Sequence, residues 1–229
     1  MDQLKPNGQR AKNAMVILWI VLGMEIITFI SNYFQYDLLH RAKNLAPITS
    51  LEVAANDFRV KIVTVVYLIV YIICVVMFIQ WFRRAYYNLH VKVPNLLFKD
   101  GWAAGSWFVP IMHLYRPYQI MRELHEETID LCEKKKVSSN GLSTDLLGWW
   151  WFSWMVSSVL GRIVGQISNG AESISQLENS TVAGMIHSVF NIPLTLLILK
   201  IIYDYSKVEP ILFDLKEEEE VKVETLIAE

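Results

Sequence analysis

The sequence predicts an all-α membrane protein with four long transmembrane helices, a short re-entrant or fifth membrane segment, and a cytoplasmic amphipathic helix. Of its 229 residues, 53% are hydrophobic, and they cluster in blocks instead of alternating with polar residues. Four blocks, at residues 14–34, 60–82, 146–167 and 182–203, have close to the roughly 20 apolar residues that cross a bilayer. Each block carries at most one formal charge in its interior. Hydrocarbon is therefore the expected solvent of most of these side chains.

The first two blocks each admit a second interpretation. Cationic residues precede residues 14–34, as they would precede a signal peptide, but the block contains Glu25 and ends without a small-residue cleavage site. We therefore predict a membrane anchor. Residues 60–82 are rich in Val and Ile, which favour strands in water, yet an isolated strand in hydrocarbon leaves its backbone groups unpaired. We predict a helix that continues beyond this block until Pro94 stops it.

The segment at residues 101–115 decides the topology, because it is short and contains Pro110. If it is re-entrant from the cytoplasmic side, four crossings leave both termini and most Lys and Arg residues in the cytoplasm. The cations left outside are then Arg41, Lys43, Arg59 and Lys61. A fifth crossing would move the N-terminal cations outside and weaken this asymmetry. We predict a multi-pass protein of the cytoplasmic membrane with four crossings, and five crossings as the alternative.

The predicted organisation is a single membrane domain, residues 14–205, between a cytoplasmic N-terminus, residues 1–13, and an acidic cytoplasmic tail, residues 206–229. Residues 117–136 place apolar side chains at helical spacing opposite charged ones, which predicts the amphipathic helix. Pro117 suits the beginning of that helix. Aromatic residues at the predicted cytoplasmic ends of the spans are expected at the headgroup level: Trp81, Trp149, Trp150, Trp151, Tyr203 and Tyr205.

Motifs in the middle of the chain carry a family resemblance. They are Trp81-x-x-Arg84-Ala85-x-x-Asn88-Leu89, Gly101-Trp102-x-x-Gly105-x-x-Phe108-Val109-Pro110-Ile111 and Arg116-Pro117-Tyr118-x-x-Met121-x-Glu123, followed by Trp149-Trp150-Trp151 and Trp154. Their order and spacing resemble the bacterial membrane family known as domain of unknown function 4328. The resemblance implies a multi-pass bacterial membrane protein but no activity, because the family is uncharacterised. The pairs Gly101/Gly105 and Gly161/Gly165 also predict close helix packing.

Polar residues inside the predicted spans form the main candidate site. At a rise of about 1.5 Å per residue, Glu25, Arg162 and His187 fall within roughly one helical turn of the same depth. A charge at that depth costs about 2.5–3.5 kcal/mol. We therefore predict that Glu25 pairs with Arg162, with His187 as a further partner and Asn191 beside them. Three alternatives stay open: a structural ion pair, a proton- or ion-conducting site, and residues that never meet.

The sequence favours no catalytic function. Its formal net charge is −2 and no nucleic-acid-binding module is recognisable, so no nucleic-acid partner is expected. The acidic and histidine residues of Glu123-Leu124-His125-Glu126-Glu127 lack the spacing of a helical zinc motif. No phosphate-binding loop or nucleophile elbow is present. We therefore identify no catalytic residue, metal site or cofactor, and we lean against an enzyme.

The leading prediction is a non-enzymatic scaffold, assembly or sensing protein of the bacterial cytoplasmic membrane. It would contact the lipid bilayer and, through its cytoplasmic helix and loops, a protein partner. One alternative is a permeation protein for small solutes, ions or protons that uses the layer of Glu25, Arg162 and His187. The other alternative is an interfacial lipid-modifying enzyme that uses Arg84, Asn88, Arg116 and Glu123.

Overall fold

The computed structural model describes residues 3–139 and 141–213, and in that part of the chain the regular secondary structure is helical. Most of the predicted acidic tail lies outside the described residues. The helices are α1 (Gly8–Lys43), α2 (Ser50–Lys92), α3 (Trp102–Gly105), α4 (Arg116–Lys134), α5 (Asp145–Asn169) and α6 (Ile174–Val208), with a 3₁₀ turn at Met112–Leu114. The protein is therefore all-α over the described residues, in agreement with the predicted class.

Three of these helices, α1, α2 and α6, are long and apolar enough to cross a membrane by length and composition. In the most apolar stretch of α2, only 6% of the residues are buried within the protein. Large apolar side chains such as Leu68, Ile69 and Ile72 are at least half exposed there. A surface of this kind is stable against lipid but not against water. The fourth predicted span overlaps α5, which is not among these three helices, and its crossing stays a prediction.

The helices extend beyond the apolar blocks that predicted them. The helix α2 begins ten residues before residue 60 and ends at Lys92, shortly before Pro94. This C-terminal extension agrees with the sequence prediction, because proline disfavours the helical conformation in the residue that precedes it. At the other end, Glu52 accepts hydrogen bonds from the backbone N–H and side-chain hydroxyl of Thr49 at 2.8 and 3.0 Å. In return, the Thr49 hydroxyl oxygen accepts a hydrogen bond from the Glu52 backbone N–H at 3.2 Å and so caps the first turn of the helix.

Residues 101–115 do not form a continuous helix. They contain the four-residue helix α3, a series of turns and the 3₁₀ turn. Ile111, which follows Pro110, has a φ of 68°, a conformation that a β-branched residue rarely adopts. A transmembrane helix needs about 20 residues in one run, so this segment does not provide the helix that a fifth crossing would require. The re-entrant placement stays a prediction.

The described helices divide between two compact units. Among the described residues, unit 1 contains residues 3–15, the described part of Val76–Trp149, and residues 199–213. Its core is aromatic and aliphatic, and α2 supplies one continuous face of it. The side chains that are fully buried in this core include Trp81, Phe82, Tyr86, Leu89, Ile120, Met121, Leu124, Ile202 and Tyr205. The apolar face of α4, from Ile120 to Thr128, is thus buried within unit 1.

Unit 2 contains residues Val16–Val75 and Trp150–Ile198. The side chains of its α1 segment point inward at Val21, Met24 and Glu25, and most of its α2 segment is exposed. Charged contacts lie at one end of the unit, where Glu178 accepts hydrogen bonds from Lys43 Nζ at 2.6 Å and the His40 ring at 2.9 Å. Polar contacts between α1 and α6 therefore accompany the apolar ones in this unit.

Candidate functional site

Glu25 is a buried acid on α1 within unit 2, and its side chain is only 2% exposed. Its Oε1 atom accepts a hydrogen bond from the Tyr67 hydroxyl of α2 at 2.6 Å. The same oxygen accepts a second hydrogen bond from the Asn191 side-chain amide of α6 at 3.0 Å. Two helices, α2 and α6, thus supply hydrogen-bond donors to one carboxylate on α1 inside the apolar segments.

The hydrogen-bond network continues from Asn191 to α5. The Ser157 hydroxyl donates to Asn191 Oδ1 at 2.6 Å. His187 Nε2 lies 3.1 Å from the Ser157 carbonyl oxygen and must carry the hydrogen, because a carbonyl oxygen only accepts. One connected set of side chains therefore joins Tyr67, Glu25, Asn191, Ser157 and His187. We call this set the Glu25 network.

Arg162 does not join the Glu25 network. Its side chain is exposed, and no ion pair joins it to Glu25 among the residues that the structure describes. Asn191, which was predicted to lie beside these residues, does contact Glu25. Equal depth does not make Glu25 and Arg162 meet, because depth does not specify the direction in which a side chain leaves its helix. Glu25 is held by neutral hydrogen-bond donors where the sequence predicted a cation.

Sequence reasoning missed Tyr67 and Ser157. A signal for both was present, because each lies inside an apolar block at about the same depth as Glu25. Tyrosine and serine are common in membrane helices and carry no charge, so neither was selected as a polar candidate. The burial of a carboxylate requires hydrogen-bonding partners, and a search for hydroxyls at that depth would have found them.

The glycines of α5 differ in what they contact. A Cβ atom on Gly161 would lie 3.2 Å from His187 Cε1, whereas a Cβ on Gly165 would have nothing within 4 Å. Gly161 therefore provides the space that His187 occupies. The predicted close packing of helix backbones is not found at Gly165, nor at Gly101, which also has open space beside it.

The family-motif residues lie in unit 1, and several have structural partners there. Glu123 is buried and accepts hydrogen bonds from the Tyr86 hydroxyl at 2.5 Å and the Leu97 backbone N–H at 2.6 Å. It thereby joins α4 to the chain that follows α2. The Arg116 guanidinium lies 4.5 Å from the centre of the Phe98 ring. These contacts give both residues a role in positioning the segment between α2 and α4.

A second buried carboxylate in unit 1 belongs to Glu209. It accepts hydrogen bonds from the side-chain amides of Asn88, at 2.9 Å, and Asn7, at 3.0 Å. Asn88 also exchanges hydrogen bonds with the backbone of Lys5. The polar group of Asn88 is thus used to hold the N-terminal segment. Asn88 bonds to Glu209, whereas Glu123 bonds to Tyr86, so these two candidate residues do not form one site.

The other motif residues differ in exposure. Trp81 and Pro117 are buried, and Arg84, Gly105 and Tyr118 are partly exposed. Gly101, Trp102 and Pro110 are exposed. Among the described residues, no three His, Cys, Asp or Glu side chains are grouped as a metal site would require. The motif residues therefore include core and surface positions and do not converge on one pocket.

His125 borders a cavity of about 210 Å³ in unit 1 and is itself 1% exposed. Its Nδ1–H donates to the Met121 carbonyl oxygen at 2.9 Å, since that oxygen only accepts. Burial lowers the pKa of this imidazole from 6.5 to about 4, because the charged form would lose its hydration. His125 is therefore neutral in the folded protein at neutral pH.

Acidification is expected to destabilise the protein through His125. Between its folded and unfolded pKa values, the unfolded state binds more protons, so stability falls as the pH drops below about 6.5. The loss attributable to His125 at about pH 5 is about 2 kcal/mol. The free energy of unfolding should be measured against pH for wild type and for His125→Asn, which keeps a donor for Met121 but cannot become charged.

The His125→Asn variant should lose part of the pH dependence, and the same substitution at the partly exposed His113 should not. Equal pH profiles for wild type and His125→Asn would contradict a buried neutral histidine at this position. Because the comparison is a difference between two profiles, the titration of all other ionisable groups cancels to first order.

A family model described as Domain of unknown function (DUF4328) matches residues 44–207. This range covers most of the chain, including all the motifs that suggested the resemblance. No curated protein and no solved structure matches the chain.

Proposed function

We propose from the geometry that this chain, which belongs to the DUF4328 family, carries a proton or another small cation across the membrane. The description of the family assigns no activity. The Glu25 network is the site we assign to this function. The observation behind the proposal is the buried carboxylate of Glu25, which lies within apolar segments and has neutral partners. Ionisable residues in such segments are costly, and they commonly belong to ion or proton pathways.

Two features favour this proposal over a purely structural role. A structural ion pair would place a cationic side chain beside Glu25, and Arg162 is exposed instead. Moreover, an apolar residue at position 25 would pack without any desolvation penalty. Retaining an acid that needs partners from several helices is more easily explained by ion binding than by stability.

A scaffold, assembly or sensing role is the second candidate, and α4 supports it. The inner face of this helix is occupied by the core of unit 1, while its outer face carries exposed ion pairs between Arg122 and Glu126 and between Lys134 and Asp130. A protein partner would therefore meet a charged surface. We place the protein in the bacterial cytoplasmic membrane with four crossings and cytoplasmic termini, which the distribution of Lys and Arg supports. The lipid-modifying enzyme has no comparable support, because Asn88 and Glu123 are bonded within the fold.

Replacing Glu25 by glutamine should abolish ion flux without preventing folding. The glutamine oxygen can accept the same hydrogen bonds from Tyr67 and Asn191, but it cannot take up or release a proton or neutralise a cation. We expect flux into proteoliposomes to fall by more than about tenfold, which corresponds to about 1.4 kcal/mol. Dyes sensitive to pH, sodium and potassium would report the flux.

The matched control is Glu172→Gln, the same change at an exposed position of unit 2. It should leave both flux and purified yield unchanged. Absence of flux in wild-type proteoliposomes, or full flux in Glu25→Gln, would refute the permeation function. The scaffold role would instead be supported by a protein partner that binds through α4. Its binding should be lost when the charge of Arg122 is reversed, and also when the charge of Glu126 is reversed.

A further inference from the structure

We infer that the ion bound by the Glu25 network is a proton, taken up by the Glu25 carboxylate itself. This inference rests on the proposed permeation function and names its substrate. In the uptake step, a hydronium ion transfers a proton to the carboxylate, giving a neutral carboxylic acid and one water molecule. The charge inside the apolar segment disappears in the same step.

The neighbours of Glu25 present hydrogens to it. The Tyr67 hydroxyl and the Asn191 amide both donate to Oε1, at 2.6 and 3.0 Å. A sodium or potassium ion needs several oxygen lone pairs directed at one point. The side-chain oxygen of Asn191 already accepts a hydrogen bond from the Ser157 hydroxyl at 2.6 Å. The network therefore resembles a site for a carboxylate that exchanges protons more than a cage for a metal ion.

Within the described part of the chain, no Lys or Arg side chain forms an ion pair with Glu25. The ionisable groups within electrostatic range are Tyr67 and Tyr71 on α2 and His187 on α6. On α5, Arg162 is exposed and forms no ion pair with Glu25 among the described residues. A buried carboxylate without a counter-ion loses its desolvation penalty when it takes up a proton.

Asn191 can adapt to both protonation states. When Glu25 is ionised, each hydrogen bond in this chain is donated in the direction of Glu25: Ser157 donates to Asn191, and Asn191 donates to Glu25. With Glu25 protonated, a half-turn of the amide lets Glu25 donate to Asn191 Oδ1 and Asn191 donate to Ser157 Oγ. His187 Nε2 keeps its hydrogen bond to the Ser157 carbonyl oxygen in both states and lies 3.1 Å from Ser157 Oγ. Glu25, Asn191 and Ser157 thus each keep a hydrogen-bond partner when the proton enters.

Infrared difference spectroscopy on the full chain in lipid vesicles tests this inference directly. Lowering the pH from about 9 to about 5 should produce the carbonyl stretch of a protonated carboxyl group. This band should be absent in Glu25→Gln and insensitive to sodium or potassium. Tyr67→Phe removes a donor to the ionised form and should raise the midpoint of the band by about one to two pH units.

The matched control is Tyr71→Phe, because Tyr71 stacks on Tyr67 but donates no hydrogen bond to Glu25. It should leave the midpoint nearly unchanged. A Glu25 band that does not change with pH, or that responds to sodium or potassium, overturns the proton assignment. If sodium or potassium flux is then lost in Glu25→Gln, the permeation function survives this failure. A pH-dependent Glu25 band without any flux would retain the proton site and refute permeation.

Discussion

Replacing Asn88 by leucine is expected to cost about 3 kcal/mol of folding stability, because it removes an amide from a buried carboxylate. Glu209 is 4% exposed, and Asn88 donates to its Oε1 at 2.9 Å. No cationic side chain forms an ion pair with it among the described residues. Without Asn88, the carboxylate would keep only Asn7 as a donor. The free energy of unfolding in detergent micelles, measured with denaturant, reports the loss.

A double-mutant cycle separates this interaction from simple packing effects. Glu209→Leu removes the carboxylate and should be destabilising alone, while the Asn88→Leu/Glu209→Leu pair should be more stable than the sum of the single changes by about 1–3 kcal/mol. Asn13→Leu is the matched control, since Asn13 is exposed in unit 1 and bonds only to Gln9. It should change stability by less than about 0.5 kcal/mol. Additive effects of Asn88 and Glu209 would contradict the buried network.

The sequence predicted the features that depend on composition and length. Apolar blocks indicated long helices, and the structure contains three that could cross a membrane. The motifs indicated the family, which is confirmed over residues 44–207. The position of Pro94 predicted where α2 ends, because proline acts locally on the backbone. Such features need no knowledge of which helices are neighbours.

The sequence could not predict features that depend on the rotation of one helix against another. Glu25 and Arg162 have nearly the same depth, but the side chain of Arg162 is exposed and that of Glu25 is buried. Tyr67, an uncharged residue, occupies the place predicted for the cation. Similarly, Asn88 was a candidate for an interfacial site, and its partner Glu209 lies far along the chain, in the segment predicted to be an acidic cytoplasmic tail. Two arrangements that differ only in the rotation of a helix about its axis place each residue at the same depth and have the same composition. Depth and composition therefore do not distinguish between them.

The tryptophans of the family motifs show the same limit and give the second large prediction. Trp81 and Trp149 were both expected at the headgroup level, yet Trp81 is fully buried and Trp149 is 67% exposed. The centre of the Trp81 ring lies 5.8 Å from that of Phe78, at a tilt, and 6.1 Å from that of Tyr205, in an edge-to-face arrangement. Truncating a fully buried aromatic side chain leaves a large cavity. Trp81 is therefore a core residue of unit 1.

Trp81→Ala should destabilise the protein by about 3–5 kcal/mol, and Trp149→Ala should change its stability by less than about 1 kcal/mol. The midpoint of heat denaturation, followed by the helical circular-dichroism signal in detergent, compares the two identical substitutions. Trp81→Phe should lie between them, because the indole Nε1 has no hydrogen-bond partner among the described residues and only packing area is lost. Equal losses at both positions would mean that Trp81 is anchored by lipid and not by the core.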